Sequence, residues 1–364
     1  MKIQSKTNLL QSILILSIIA PLISCSGVPA VTEQTEPTLE TNPFEATADS
    51  DEQPEDNAPT DLGGYAMGSI GFDAMQNPTF TYTGDPITLS FFYQGTGSDT
   101  EVGLMFFLDG IAQPYQIIET SHPDETSVTN QDVYLSKFQL SSDIRIEFTV
   151  SITPVTGLVG DEFGLFPVTL FEPSFLPASE EGNFGIYHQG SFYLPITIQM
   201  GADGSHQIAD YSVNPDLAPI PDRLFEHDDR LDSSGRISQP VFALYAGEFL
   251  GWGEPASRTT ENGKINLHLS GYGGVEVLYR VTIFVNHQPV MIEGNESILI
   301  QTHYDQVSTY TFTLDISEYD RLNSLYAIVV PVGESYKNND IYSQKTRTTL
   351  LINDLAEHLS TNGE

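Results

Sequence analysis

The stretch Ile144-Arg-Ile-Glu-Phe-Thr-Val-Ser-Ile152 decides the fold class. Apolar side chains stand at 144, 146, 148, 150 and 152, with polar ones between them. Successive strand residues point to opposite faces, so this period of two describes a strand with one face in a core and one in water. Working outward, Ile87–Tyr93, Leu104–Leu108 and Phe163–Leu170 are further β-rich runs bounded by turn residues. Asp109-Gly110 follows the second of them, and Asp-Gly is a preferred pair for tight hairpin turns. The same grammar returns in Lys264–Leu269, Leu278–Val285, Val307–Ile316 and Leu325–Val330. Sustained helical periodicity is absent except for a short segment near Ile352–Leu359, so the sequence predicts an all-β protein.

The two halves match in order. Ile87-Thr-Leu-Ser parallels Ile265-Asn-Leu-His, and Phe148-Thr-Val-Ser-Ile152 parallels Phe312-Thr-Leu-Asp-Ile316. Between these, Phe107-Leu-Asp-Gly-Ile-Ala-Gln-Pro114 parallels Phe284-Val-Asn-His-Gln-Pro289 with two residues missing. Because Asn tolerates a left-handed turn better than His, the second hairpin is expected to use a different turn type. Three matches in one order argue for duplication. The expected layout is a β-sandwich over 63–202, an irregular connecting segment over 203–261, a second sandwich over 262–355 and a tail over 356–364. A strand, an aromatic-Leu-Asp-Gly turn and a later alternating strand resemble the immunoglobulin-like modules of bacterial surface proteins, CARDB modules in particular. That resemblance implies two immunoglobulin-like antiparallel sandwiches and a habit of adhering or presenting, with no active site to transfer. Glu101–Tyr115 and Ile152-Thr-Pro-Val-Thr-Gly157 also resemble Gram-positive lipoproteins to which no activity is attached.

The N-terminus has the form of an export signal. Lys2 and Lys6 precede an apolar run, Leu9–Ile23, interrupted by Gln11, Ser12 and Pro21. A membrane-spanning helix needs about 20 apolar residues, which this run does not supply. Leu22-Ile23-Ser24-Cys25 follows and resembles the lipobox of bacterial lipoproteins, which implies removal of residues 1–24 and diacylglycerol on the thiol of Cys25. Cys25 is the only cysteine in the 364-residue chain, so the body is expected to fold on its core without disulfides. Residues 25–62 are rich in Thr, Pro, Glu and Asp with no Lys or Arg. Low hydrophobicity with one-sided charge predicts a disordered, self-repelling tether. The formal net charge of −35 repels phosphates, which excludes nucleic acid as a partner and leaves the lipid as the membrane contact.

Candidate chemistry is sparse. Glu226, His227, Asp228, Asp229 and Asp232 invite a calcium reading, but Arg230 falls where a ligand is needed, so the stretch reads as a solvated turn. His227 has no second His or Cys at ligand spacing. No Gly-x-Ser-x-Gly elbow occurs. The sequence therefore assigns no catalytic residue, metal or cofactor. Trp252, the only tryptophan, lies between two glycines. With Phe249 and Tyr245 it forms the candidate ligand-contacting set, since exposed aromatics serve as binding anchors; packing into the second sandwich is the alternative for Trp252. The resulting expectation is a lipid-anchored, extracytoplasmic, non-catalytic module for an envelope protein or glycan. An accessory substrate-binding subunit of an envelope enzyme or transporter and a structural spacer are the alternatives.

Overall fold

The computed structural model describes residues 63–122, 132–205, 215–221, 237–247, 257–337, 341 and 343–356. Cys25, the acidic stretch before residue 63, the 226–232 cluster, Phe249 and Trp252 lie outside these residues. The described chain is all-β and forms two immunoglobulin-like sandwiches.

In the first sandwich, a four-stranded sheet runs β1 (Gly64–Ile70), β3 (Ile87–Thr96), β8 (Arg145–Ile152), β6 (Tyr115–Thr120). Its seven-stranded partner runs β2 (Thr79–Tyr82), β11 (Ile196–Met200), β9 (Glu162–Phe171), β4 (Thr100–Leu108), β5 (Ile111–Gln113), with β10 (Gly190–Phe192) on β9 and β7 (Ser136–Leu140) on β4. In the second sandwich the four-stranded sheet is β13 (Val241–Tyr245), β15 (Lys264–Tyr272), β19 (Gln306–Asp315), β12 (Asp216–Pro219). The seven-stranded sheet is β14 (Ser257–Thr259), β22 (Thr349–Ile352), β20 (Leu322–Pro331), β16 (Leu278–Val285), β17 (Gln288–Pro289), with β18 (Ile298–Gln301) on β16 and β21 (Gln344–Lys345) on β20. Pairing is antiparallel except for β2 with β11 and β14 with β22, which are parallel in both halves.

Several sequence expectations are corrected here. The segment 203–261 is not only a connection: β12, β13 and β14 come from it and complete the second sandwich. The place beside β8 that β6 fills in the first half is filled beside β19 by β12, which comes from before the second half begins. Thr349–Ile352 is a strand, so the helical reading near Ile352 does not hold at its start. The hairpins also agree more closely than expected. Leu108 faces Ile111 and Val285 faces Gln288, so each turn has two residues and nothing is missing. Asp109, Gly110, Asn286 and His287 all have positive φ (50°, 78°, 48°, 65°), the signature of one turn type, I′, in both. Finally, Ile87 lies opposite Ile152, but Ile265 lies opposite Leu314, two residues short of Ile316. Two of the three sequence matches therefore slip by two relative to each other, a shift that keeps every side chain on its face.

Alternation fills the two cores. In the first, Phe91, Tyr93, Phe106, Tyr115, Phe138 and Phe148 are fully buried, with Phe138 and Phe148 at 4.5 Å between ring centroids and Phe106 and Tyr115 at 4.8 Å. Each such side chain contributes about 1.5–3 kcal/mol by leaving water. Tyr115 keeps its hydroxyl satisfied by donating to Leu104 O at 2.6 Å and accepting from Ser136 N at 3.0 Å.

The runs in β4, β9, β16 and β20 do not alternate, because these strands are buried on both faces. A third apolar cluster joins the outer faces of the two seven-stranded sheets: Met105, Phe107, Phe166 and Val168 against Phe284, Tyr326, Ile328 and Val330. The molecule is thus four sheets deep, with the large sheets inside. The contacts are reciprocal, as in an isologous dimer. Phe107 and Phe284, which match in the repeat, meet edge to face at 5.9 Å. Asp109 in the first turn accepts from Gly333 N at 2.7 Å, and His287 in the second turn bonds Pro173 O at 2.7 Å. Pro173 and Gly333 are themselves matched, each two residues beyond the residues paired with Val102 and Tyr279. Arg280 closes the seam with Nε on Asp109 O at 2.8 Å and a buried ion pair to the Asp109 carboxylate at 3.2 Å.

Candidate functional site

The first sandwich has a cavity of about 360 Å³ on the side where β1 and β10 end their respective sheets. Its position follows from local sequence. The ladder on β9 continues through Tyr193 N, which donates to Pro167 O at 2.9 Å, and breaks before Ile196, where Pro195 has no N–H to donate. Tyr193 reaches across with its side chain, its ring 6.3 Å from Phe91 and its hydroxyl 3.5 Å from Ser69 Oγ of β1, and Leu194 is left at the rim. Opposite, Asp73 caps the 3-10 turn Ala74–Gln76 by accepting from Met75 N at 2.9 Å. That turn projects Met75, which is 55% exposed, onto the rim.

The walls are Met67, Met75, Phe192, Tyr193 and Leu194, and the polar base is made of the hydroxyls of Tyr65, Thr169 and Ser191. Thr169 Oγ1 is engaged by Tyr93 OH at 2.7 Å and approaches Met67 Sδ at 3.5 Å. The Tyr65 hydroxyl is buried, with the residue 8% exposed, and makes no hydrogen bond. Burial pushes its pKa up; the nearby hydroxyls of Ser191 and Thr169 pull the other way without closing a bond. An unsatisfied buried hydroxyl forgoes about 1–3 kcal/mol that a ligand atom can restore. Volume, apolar walls and a few convergent polar groups are the features of a ligand pocket. The seam cavity beside Ala112, Tyr134, Thr282 and Glu296, about 180 Å³, is smaller than the usual ligand range.

Of the sequence-derived candidates, only Tyr245 is described. It stacks on His268 at 5.3 Å and its hydroxyl meets Ser270 Oγ at 2.9 Å, so it serves β13 and β15 of the second sandwich and is remote from the pocket. Gly190–Phe192 and Ile196–Met200 both pair with β9, so the chain returns there to the first sandwich. Sequence reasoning did not mark Tyr65, Met67 or Met75. The one available signal was Pro195 in the middle of a strand pattern, which predicts an interrupted edge.

No family model and no curated protein matches this sequence. Among solved structures, it is similar to the CsuC-CsuE chaperone-tip adhesion subunit complex of Acinetobacter baumannii at 10% identity and TM-score 0.18, covering 81% of this chain and 99% of that one. It is likewise similar to the Ig1-2 module of the Drosophila receptor tyrosine phosphatase DLAR, at 10% identity and TM-score 0.22 over 76% of this chain and 94% of that one. The secreted serine protease VesC of Vibrio cholerae matches at 11% identity and TM-score 0.19, over 75% and 49%. At these scores the likenesses carry no argument about activity.

Proposed function

We propose that this protein is a lipid-anchored, extracytoplasmic, non-catalytic binding module. Cys25 carries the anchor, residues 26–62 act as the spacer, and the paired sandwiches hold out the β1–β10 pocket to a component of the cell envelope. The observation that carries the reading is the pocket: apolar walls around a buried hydroxyl that makes no hydrogen bond, on a body joined by an apolar cluster between its halves. Unlike a flexible tandem, this arrangement fixes the site relative to the rest of the molecule, which reduces the ordering entropy lost on binding. The lipobox and the acidic stretch support the location.

The test is in-cell cross-linking with a photoreactive residue at Leu194, a rim position 37% exposed. Capture of one component is expected, together with loss of membrane association in Cys25→Ala. A Leu194 probe that captures nothing above an identical probe at Leu217, which is exposed on β12, would leave the spacer reading instead.

A further inference from the structure

The second sandwich shows what belongs in the pocket of the first. Ser191 faces Thr169 on β9 and Gln344 faces Val329 on β20. Thr169 and Val329 each lie three residues past the residue paired with the matched phenylalanines, Phe107 and Phe284, so Ser191 and Gln344 are counterparts. Carried through the registers from Phe148 and Phe312, Tyr65 on β1 matches Phe242 on β13. In the second sandwich these two positions are joined: Phe242 N donates to the Gln344 side-chain amide oxygen at 2.8 Å. Phe242 then packs on Tyr279 at 4.9 Å. In the first, Ser191 is too short to make that bridge, the hydroxyls of Tyr65 and Thr169 replace Phe242 and Val329, and about 360 Å³ stays open.

We infer that the pocket is completed by an extended segment of a partner protein, which lies along the free edge of β1 and sets one long apolar or aromatic side chain among Met67, Met75 and Leu194. This rests on the binding-module reading and specifies its ligand. Three observations converge. The element that closes the matching site is an amide oxygen on an edge strand, which a peptide backbone reproduces at every residue. Among the described residues β1 ends its sheet, so its outer edge is available for strand addition. The walls are apolar with a polar base, which suits a tyrosine side chain entering hydroxyl first. The net charge of −35 adds that the segment is flanked by basic residues.

The experiment uses the full chain from residue 25, carrying Cys25→Ala, and fluorescent peptides of the form Lys-Thr-Val-Xaa-Val-Thr-Lys read by anisotropy. Peptides with Tyr, Leu or Met at the variable position are expected to bind, and those with Asp to fail. Ser191→Gln, which copies the closed site, should weaken binding at least ~10-fold, in line with loss of a filled pocket and its hydrogen bond. Gln344→Ser should leave it unchanged, and circular dichroism confirms folding. Leu194→Lys, a rim change that leaves the core alone, should weaken binding likewise. Absence of binding across the panel, or binding indifferent to both Ser191→Gln and Leu194→Lys, overturns the inference. So does binding of N-acetyl-tyrosinamide as tight as that of the peptides, which would make this a small-molecule pocket. If the Leu194 probe in cells captures a glycan, the peptide inference fails while the binding-module reading stands.

Discussion

Lowering the pH from 7.5 to 5 is expected to weaken this protein by about 4 kcal/mol through two histidines at the seam of the sandwiches. His188 from the first and His287 from the second lie with ring centroids 4.9 Å apart, 1% and 7% exposed. Burial holds His188 down to about 3, helped by the neighbouring His287, Lys345 and Lys137. Burial likewise holds His287 down to about 4, opposed by its bond to Pro173 O and assisted by Lys137 and Lys345. Both folded values lie below the unfolded value of about 6.5, so the unfolded chain binds more protons in acid. The stability these neutral rings maintain is complete above about pH 6.5 and falls as pH drops toward 4 and 3. At pH 5 each ring has lost about 1.4 kcal/mol per unit below 6.5, or about 2 kcal/mol. Lys345, lowered by burial to about 7, gives up its share between the unfolded value of about 10.4 and 7, mostly outside this window. Asp354, held near 2 by Thr260 and the Gly263 and Asn262 N–H groups, acts only below about 4. The assay is urea unfolding followed by circular dichroism at both pH values, for the natural chain and for His188→Gln/His287→Gln. The difference between them removes the general effect of titrating an acidic surface. A double variant that loses as much stability as the natural chain between pH 7.5 and 5 would refute the argument.

Two further outcomes follow from the same seam. Arg280→Ala strands the buried Asp109 carboxylate and should cost about 3–5 kcal/mol, whereas replacing both partners by apolar residues should recover most of it, as urea midpoints would show. Phe284→Ala opens a cavity against Phe107 and Tyr326 and should cost about 3–5 kcal/mol, with faster proteolysis between the halves as the companion readout.

The hairpin turns show where local rules end. Asp109-Gly110 is a turn by composition alone, and the structure keeps it. Asn286-His287 adopts the same conformation although a left-handed His is unfavourable by roughly 1–2 kcal/mol. The strain is held by partners distant in the chain: Nδ1 on Tyr326 OH at 3.0 Å and Nε2 on Pro173 O at 2.7 Å. A reading of residue preferences could not anticipate a turn fixed from the other sandwich.

Strand class, the duplication and the inward positions Ile146, Phe148, Val150 and Ile152 were legible in the sequence, because the period of two is a property of the backbone that each short segment carries by itself, whereas Ile144, read as the first of that set, precedes the strand and is exposed. The continuous apolar runs Leu104–Leu108 and Leu325–Val330 were legible as strands too, although the reason for their lack of alternation was not. Packing of the two large sheets, the edge filled by β12 and the open side between β1 and β10 were decided only by the tertiary structure. Tyr65 and Ser191 are far apart along the chain, and which of them meets a neighbour depends on the registers of four strands and on a side chain one amide too short. Local patterning sets which face a residue takes; long-range pairing alone sets what stands opposite it, and that is where this pocket arises.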